Sequence, residues 1–156
     1  MQLRPATPRD DAAVLAIAQR IYERTGSYPA SRWITDGRVR ADWLGRSTPV
    51  LSAAVVEDAG RVMGLARVVE LDERGMVGPD YYEVERLVVD PDRWGEGVAT
   101  TLLGWARDEA SARRGRVALV VMRANVEARR VYERLGWRYV HEFAGHEGVN
   151  LVMVAS

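Results

Sequence analysis

The chain of 156 residues contains no cysteine and no lysine. Without cysteine, disulfides, thiolate nucleophiles and cysteine-built zinc sites are excluded. Without lysine, a phosphate loop of the Gly-Lys-Ser/Thr kind is excluded. Arginine supplies every basic side chain, which points to a GC-rich genome more than to a function. Histidine is scarce as well. His141 and His146 are too few for a histidine metal cluster, and no metal site is expected. Neither sign of charge is in excess, with 22 basic and 22 acidic residues, so nothing in the balance calls for nucleic acid or a membrane surface. No apolar run approaches membrane-spanning length. Met1-Gln2-Leu3-Arg4-Pro5 lacks the apolar core of a secretion signal, so a cytoplasmic protein is expected. There is no internal repeat, low-complexity tract or linker, and residues 1–156 are expected to form a single domain with a real core.

What is present is organised around one stretch, Asp90-Pro91-Asp92-Arg93-Trp94-Gly95-Glu96-Gly97-Val98-Ala99-Thr100. It follows a strand-like run at 82–89 and precedes a helical run at 98–114. Strand, glycine-bearing turn and helix start together make an anion site. The first N–H groups of a helix have no intrahelical partner, and the helix dipole adds partial positive charge there. Glycine at 95 and 97 lets an anion approach the backbone. A dinucleotide fingerprint does not fit, because Thr100 stands where a third glycine belongs and Asp108 and Glu109 come too early for a ribose ligand. Taken alone, the stretch also fits an ordinary capped turn.

Upstream, 2–4 reads as a short strand. Thr7-Pro8-Arg9-Asp10 is a helix start, and Val14, Leu15, Ile17, Ala18, Ile21 and Tyr22 carry the helix to about residue 23. Residues 30–47 suggest one or two short helices around Gly37, with Asp36-Gly37 as a turn. Residues 49–56 and 62–70 read as strands joined by a hairpin turn, and 71–80, with Gly75 and Gly78, as a loop. Val98, Leu102, Leu103, Ala106 and Ala110 form the stripe of the second strong helix, closed by Gly115. The apolar run 117–122 suits a buried parallel strand. Asn125 starts another helix, with Ala128, Val131, Tyr132 and Leu135 on one face and Gly136 at its end. Segments 137–143 and 149–154 make a last antiparallel pair. The order has too many hairpins for a doubly wound fold and fits an α/β class with a mixed sheet and helices on its faces.

Two motifs carry a resemblance. Pro91-x-x-x-Gly95-x-Gly97-Val98-Ala99-x-x-Leu102-Leu103, after Leu87-Val88-Val89, is similar to the acyl-CoA-binding motif of the GNAT superfamily of N-acetyltransferases. The family pattern Arg/Gln-x-x-Gly-x-Gly/Ala places its last two positions on Gly97 and Ala99. Its first falls on Trp94, a departure that leaves the main chain as the cradle. Asn125-x-x-Ala128-x-x-x-Tyr132-x-x-x-Gly136-Trp137 resembles the second family signature with every specified position kept. By itself this is also a capped amphipathic helix; one strand after the glycine turn, it strengthens the resemblance. The resemblance spans nearly the whole chain. It implies a GNAT-like fold: a mostly antiparallel sheet of about seven strands with one parallel, splayed pair.

The activity it implies is transfer of an acetyl group from acetyl-CoA, as cosubstrate, to a primary amine by direct attack. Pantetheine would pair with the main chain at Leu87, Val88 and Val89, where a backbone N–H also meets the oxyanion. The diphosphate would lie on Trp94, Gly95, Glu96, Gly97, Val98, Ala99 and Thr100, with the Glu96 side chain turned to solvent. Asn125, Ala128 and Tyr132 would complete the cofactor wall, with Tyr132 as the general acid. Arg93, Arg129, Arg130 and Arg134 are candidates for the 3′-phosphate.

Glu83 and Glu85 fall on one face of the strand leading to the turn and are the candidate bases; a solvated strand face accounts for them equally well. Asp72, Glu73, Asp80, Glu83 and Glu85 give this region an acidic bias that favours a cationic small-molecule or peptide amine as acceptor. Trp33, Trp43, Trp94, Trp105 and Trp137 are mostly core by default, though Trp33 and Trp43 could line the acceptor site. The alternative function is an acyl-CoA-binding regulatory module without turnover. The sequence does not name the acceptor, choose between the glutamates or separate acetyl from longer acyl donors. The resemblance leaves a homodimer open.

Overall fold

Thr7 and Pro8 open the first helical segment as their types predict. Pro8–Asp10 forms a 3-10 turn, and the Asp10 carboxylate accepts the Thr7 N–H at 2.8 Å and pairs with Arg4 at 2.8 Å. Helix α1 (Asp11–Thr25) continues from it and ends on Gly26 in the left-handed conformation. The structure, a computed structural model, describes residues 1–45, 49–72 and 77–155. Glu73, counted in the acidic bias, and Gly75, read as part of a loop, lie outside the described residues.

Strands β1 (Gln2–Pro5), β4 (Val50–Asp58), β5 (Arg61–Glu70), β6 (Tyr81–Val89), β7 (Arg116–Met122), β8 (Trp137–Gly145) and β9 (Gly148–Ala155) build a seven-stranded sheet in the order β1-β4-β5-β6-β7-β9-β8. Its pairs are antiparallel except β6 with β7. The mixed sheet that the order of elements implied is therefore present. Helix α2 (Val98–Ala112) connects the parallel pair, and α3 (Val126–Arg134) lies between β7 and β8.

The two sheet faces have separate cores. On one, Val14, Ile17, Ala18 and Ile21 of α1 pack on Val55, Leu65 and Val88. On the other, Val98, Leu102, Leu103 and Ala106 of α2 pack on Met63, Val84 and Leu119. Each such large apolar side chain contributes roughly 1.5–3 kcal/mol on burial. Among the described residues no helix is long and apolar enough to cross a membrane.

Two local expectations are corrected. The stretch read as one or two short helices around Gly37 is two 3-10 turns, Ser31–Trp33 and Ala41–Leu44, flanking a hairpin of β2 (Ile34–Thr35) and β3 (Arg38–Val39). Its turn is Asp36-Gly37, with φ of 53° and 73°, the two-residue geometry that an Asp-Gly pair favours. Helix α2 ends at Ala112, and Arg114, with φ 59°, takes the left-handed position assigned to Gly115. Gly115 is small for a different reason. A Cβ there would clash with the Tyr82 ring and the Asp80 carbonyl.

The parallel pair is what makes room for a site. β6 and β7 are in register only from Tyr81 opposite Arg116 to Val84 opposite Leu119, and then diverge. On its other edge β6 carries a bulge. Leu65 pairs with Val88 and Arg67 with Glu85, so two β6 residues, Arg86 and Leu87, oppose the single residue Ala66. The extra residue reverses the side-chain alternation. Val84 and Val89, an odd number apart, both enter the α2-side core, while Val88 faces α1.

Candidate active site

The divergence of β6 and β7 opens a cleft of about 610 Å³. At one end lies the N-terminus of α2. Gly95 and Gly97 have φ of 85° and 86°, in the left-handed region. Gly97 is the residue before the first helical turn, and no side chain caps the helix there. The first N–H groups of α2 therefore border the cleft without a hydrogen-bond partner among the described residues. A Cβ built at Gly95 or Gly97 meets nothing within 4 Å. The contrast with α3 is direct. There Asn125, 9% exposed, closes the helix end, its side-chain oxygen accepting the Ala128 N–H at 3.4 Å.

The turn before α2 is held rigidly. Asp90, 1% exposed, accepts from Arg20 of α1 at 2.9 Å and from the Asp92 N–H at 3.1 Å, and its own N–H donates to the Met63 carbonyl. Arg93 binds Asp58 at 2.8 Å and Glu96 at 3.0 Å. The Glu96 charge is thus engaged by Arg93, and Glu96 does not line the cleft. Trp94 is 42% exposed, unlike the core tryptophans Trp43 and Trp137. Its indole N–H donates to the Val89 carbonyl at 2.9 Å, and the Arg24 guanidinium lies over its ring at 5.3 Å.

Of the residues singled out in the sequence, Leu87, Val88 and Val89 line the cleft from β6. Trp94, Gly95, Gly97, Val98, Ala99 and Thr100 line it from the turn and α2. Asn125, Ala128 and Tyr132 line it from the α3 side. Arg93, Arg130 and Arg134 reach its wall; Arg129 does not, and donates to the Arg123 carbonyl at 2.8 Å.

A second, smaller cavity of about 130 Å³ contains Glu83, Glu85 and Arg86. Tyr28, Leu87, Asn125 and Tyr132 line both spaces and mark where they meet. The two phenols at this junction share one electrostatic condition. Burial pushes the Tyr28 hydroxyl up to about 12, a rise that the nearby Arg86 charge partly opposes. Burial also raises Tyr132 above its ordinary value, and the neighbouring Tyr28 adds to the rise. Both are neutral donors at physiological pH.

The two glutamates are not equivalent. Glu85 Oε1 accepts from Arg67 Nη2 at 2.6 Å and Nε at 3.0 Å. Arg67, 5% exposed, also donates to the Leu44 carbonyl. The acidic bias counted along the sequence is thus balanced at Glu85, as it is at Asp80 by Arg116, 3.6 Å away. Tyr28, Arg67 and Arg86 are the residues of this region that sequence reasoning missed. Tyr28 sits between Gly26 and Pro29, where only chain breakage was legible. Its ring packs edge-on against Trp43, with centroids 6.1 Å apart. Among the described residues no group of acidic or histidine side chains could hold a metal ion.

Comparison with known proteins bears on the family and the fold. The profile of the acetyltransferase (GNAT) family matches residues 15–137. No curated protein matches the sequence. The fold is similar to that of the PaiA N-acetyltransferase of Thermoplasma acidophilum in complex with coenzyme A. The TM-score is 0.74 at 14% identity, covering 99% of this chain and 98% of that one. It is also similar to the ribosomal-protein-alanine N-acetyltransferase of Brucella melitensis, with TM-score 0.70, 22% identity and 98% of both chains covered. YncA of Salmonella typhimurium, solved with its cofactor acetyl-CoA, gives TM-score 0.65 at 19% identity over 98% of this chain and 91% of that one. With the family profile spanning most of its length, from α1 to the start of β8, the chain belongs to the acetyltransferase (GNAT) family of acyltransferases.

Proposed function

We propose that the protein transfers an acetyl group from acetyl-CoA to a primary amine within a ternary complex. The observation that carries this reading is the uncapped α2 N-terminus opening on a cleft that runs to two half-buried phenols. Such a helix end suits a diphosphate, and the open space at Gly95 and Gly97 leaves room for one. The N–H groups from Gly95 to Thr100 form the cradle, with the Thr100 hydroxyl as an added donor. Arg130 and Arg134 at the cleft wall suit the 3′-phosphate better than Arg93, which Asp58 and Glu96 already occupy.

Leu87 and Val89 lie where β6 has left β7, so the Leu87 main-chain groups and the Val89 N–H on that edge are available to pantetheine and to the thioester oxygen, while the Val89 carbonyl accepts from Trp94. The acceptor enters from the smaller cavity. An alkyl amine must lose a proton first, which costs about 4–5 kcal/mol at pH 7 for a pKa near 10.4. Glu83 or Glu85 takes this proton, directly or through water; at Glu85, Arg67 holds one carboxylate oxygen. The neutral nitrogen attacks the thioester carbon, and a backbone N–H of β6 meets the oxyanion. The C–S bond then breaks, Tyr132 donates its proton to the leaving thiolate, and the phenolate recovers a proton from the acylated nitrogen, directly or through water, giving the neutral amide and free CoA.

An assay of thiol release from acetyl-CoA, run over a panel of amines beside calorimetric titration of the cofactor, tests this reading. Binding with amine-dependent release supports it. Binding without release from any amine would establish instead a non-catalytic acyl-CoA-binding module.

A further inference from the structure

Arg86, which lines the smaller cavity, is a cation without a counter-ion among the described residues. Arg86 lies on the bulge of β6 with φ 56°, a left-handed conformation that L side chains other than Asn and Asp rarely adopt. Backbone strain of this kind persists only where the surroundings hold it. Here the surroundings hold the side chain as well. Its Nε donates to the Trp43 carbonyl at 2.9 Å. Its guanidinium lies 5.1 Å from the centre of the Trp43 ring and 5.6 Å from that of Trp33. Among the described residues it forms no ion pair, whereas Arg67 is matched by Glu85. A guanidinium anchored through Nε and flanked by indoles still has its two terminal amino groups to offer as a fork. Burial pushes the Tyr28 phenol up, and Arg86 is the first of the charges that oppose this, so its positive field reaches the junction of the two cavities.

Resting on the acyl-transfer reading above, we propose that the acceptor amine carries a carboxylate and that Arg86 in the smaller cavity binds it. The cavity of about 130 Å³ is the size of about four water molecules, which suits a compact amino-acid-like head and not a bulky one. A phosphate would bring a second negative charge towards Glu83 and Glu85 in the same cavity; a carboxylate brings one. The arrangement then complements both ends of the acceptor. A glutamate of the same cavity, Glu83 or Glu85, receives the proton of the amine, and Arg86 fixes the anionic group, aiming the nitrogen at the junction beside Tyr28 and Tyr132. Arg86 is here a specificity residue for the substrate, and the expected acceptors are small zwitterions, not polycations.

Matched amines test this with the full-length protein and acetyl-CoA: glycine with glycinamide, alanine with alaninamide, and 4-aminobutyrate with butylamine. The quantity read is the ratio of kcat/KM within a pair, in wild type and in Arg86→Gln. The variant corrects for the different intrinsic reactivity of the two amines. Arg86→Asn is the second variant, since asparagine tolerates the left-handed backbone. The expected result is that both variants lower the carboxylate-to-neutral ratio roughly 10- to 100-fold, as loss of a charge-assisted contact implies. Neutral amines and acetyl-CoA affinity should stay within about threefold. A ratio unchanged in both variants, with amine-dependent release intact, overturns the role of Arg86 while acyl transfer stands. Bound acetyl-CoA with no release from any member of the panel overturns both.

Discussion

The two ends of the cleft are built from different materials. On the proposed function, the donor end is main chain: the edge of β6 at Leu87 and Val89, the left-handed Gly95 and Gly97, and the uncapped N–H groups of α2. The acceptor end is side chain: Glu83, Glu85, Arg86 and Tyr28, steadied by Arg67, Trp33 and Trp43 from segments far apart in sequence. A main-chain site depends on conformation, so it needs glycine at set positions and tolerates change elsewhere. A side-chain site depends on which groups are brought together, so each neighbour tunes the next. The donor end should therefore serve any acyl-CoA chemistry in this fold, and the acceptor end should decide the substrate.

The contrast can be broken most severely at Gly97. Gly97→Glu puts a carboxylate at the cradle and forces a left-handed backbone that costs roughly 1–2 kcal/mol in a non-glycine residue. Acetyl-CoA affinity should fall at least about 100-fold by calorimetry while circular dichroism still reports a folded chain. Retained affinity would place the phosphates elsewhere. Next in size is the junction. Tyr132→Phe removes the acid, so kcat should fall about 100-fold with acetyl-CoA affinity within about threefold. Because burial holds Tyr132 above its ordinary value, wild-type kcat should show no alkaline fall from this group below pH about 10. A fall beginning near neutrality would assign the acid to another group.

Smaller effects separate scaffold from site. Asp90→Asn leaves Arg20 without its counter-ion beneath the turn. Since Arg20 is one-third exposed, the expected loss is about 2–3 kcal/mol in urea unfolding, below that of a fully buried pair. Smallest is the Arg4–Asp10 pair. Arg4 holds the Asp10 carboxyl below its ordinary 3.8. Its stabilising contribution is complete above that pH and lost as pH falls through the folded value. Asp10→Asn should flatten stability against pH in the acid limb and leave kcat unchanged.

How much of this was legible in sequence follows the same division. Gly95, Gly97, Asn125 and Gly136 punctuate the chain, and local punctuation is what sequence shows best; each marks a helix boundary in the structure. That the sheet is mixed could be inferred from hairpins and one buried apolar strand; its strand order was not. The bulge at Arg86 could not, because it arises from the mismatch of β5 and β6 and leaves no glycine behind. The pairing of Arg67 with Glu85, 18 residues apart, was equally hidden. Counting acids before the turn suggested a cationic acceptor; the arginines that pair with Glu85 and Asp80 lie on other strands and could not be counted with them. The hairpin at Asp36-Gly37 was half legible. Its turn was evident, but strands of two residues carry too little alternation to recognise.

The central claim is that acyl-CoA lies along the splay of β6 and on the N-terminus of α2. Amide chemical-shift mapping by NMR during an acetyl-CoA titration tests this most directly. The account predicts the largest shifts at Leu87, Val89 and the amides from Gly95 to Thr100, with little change in β1 and β4. Shifts concentrated on β1 and β4, with those amides unmoved, would contradict it.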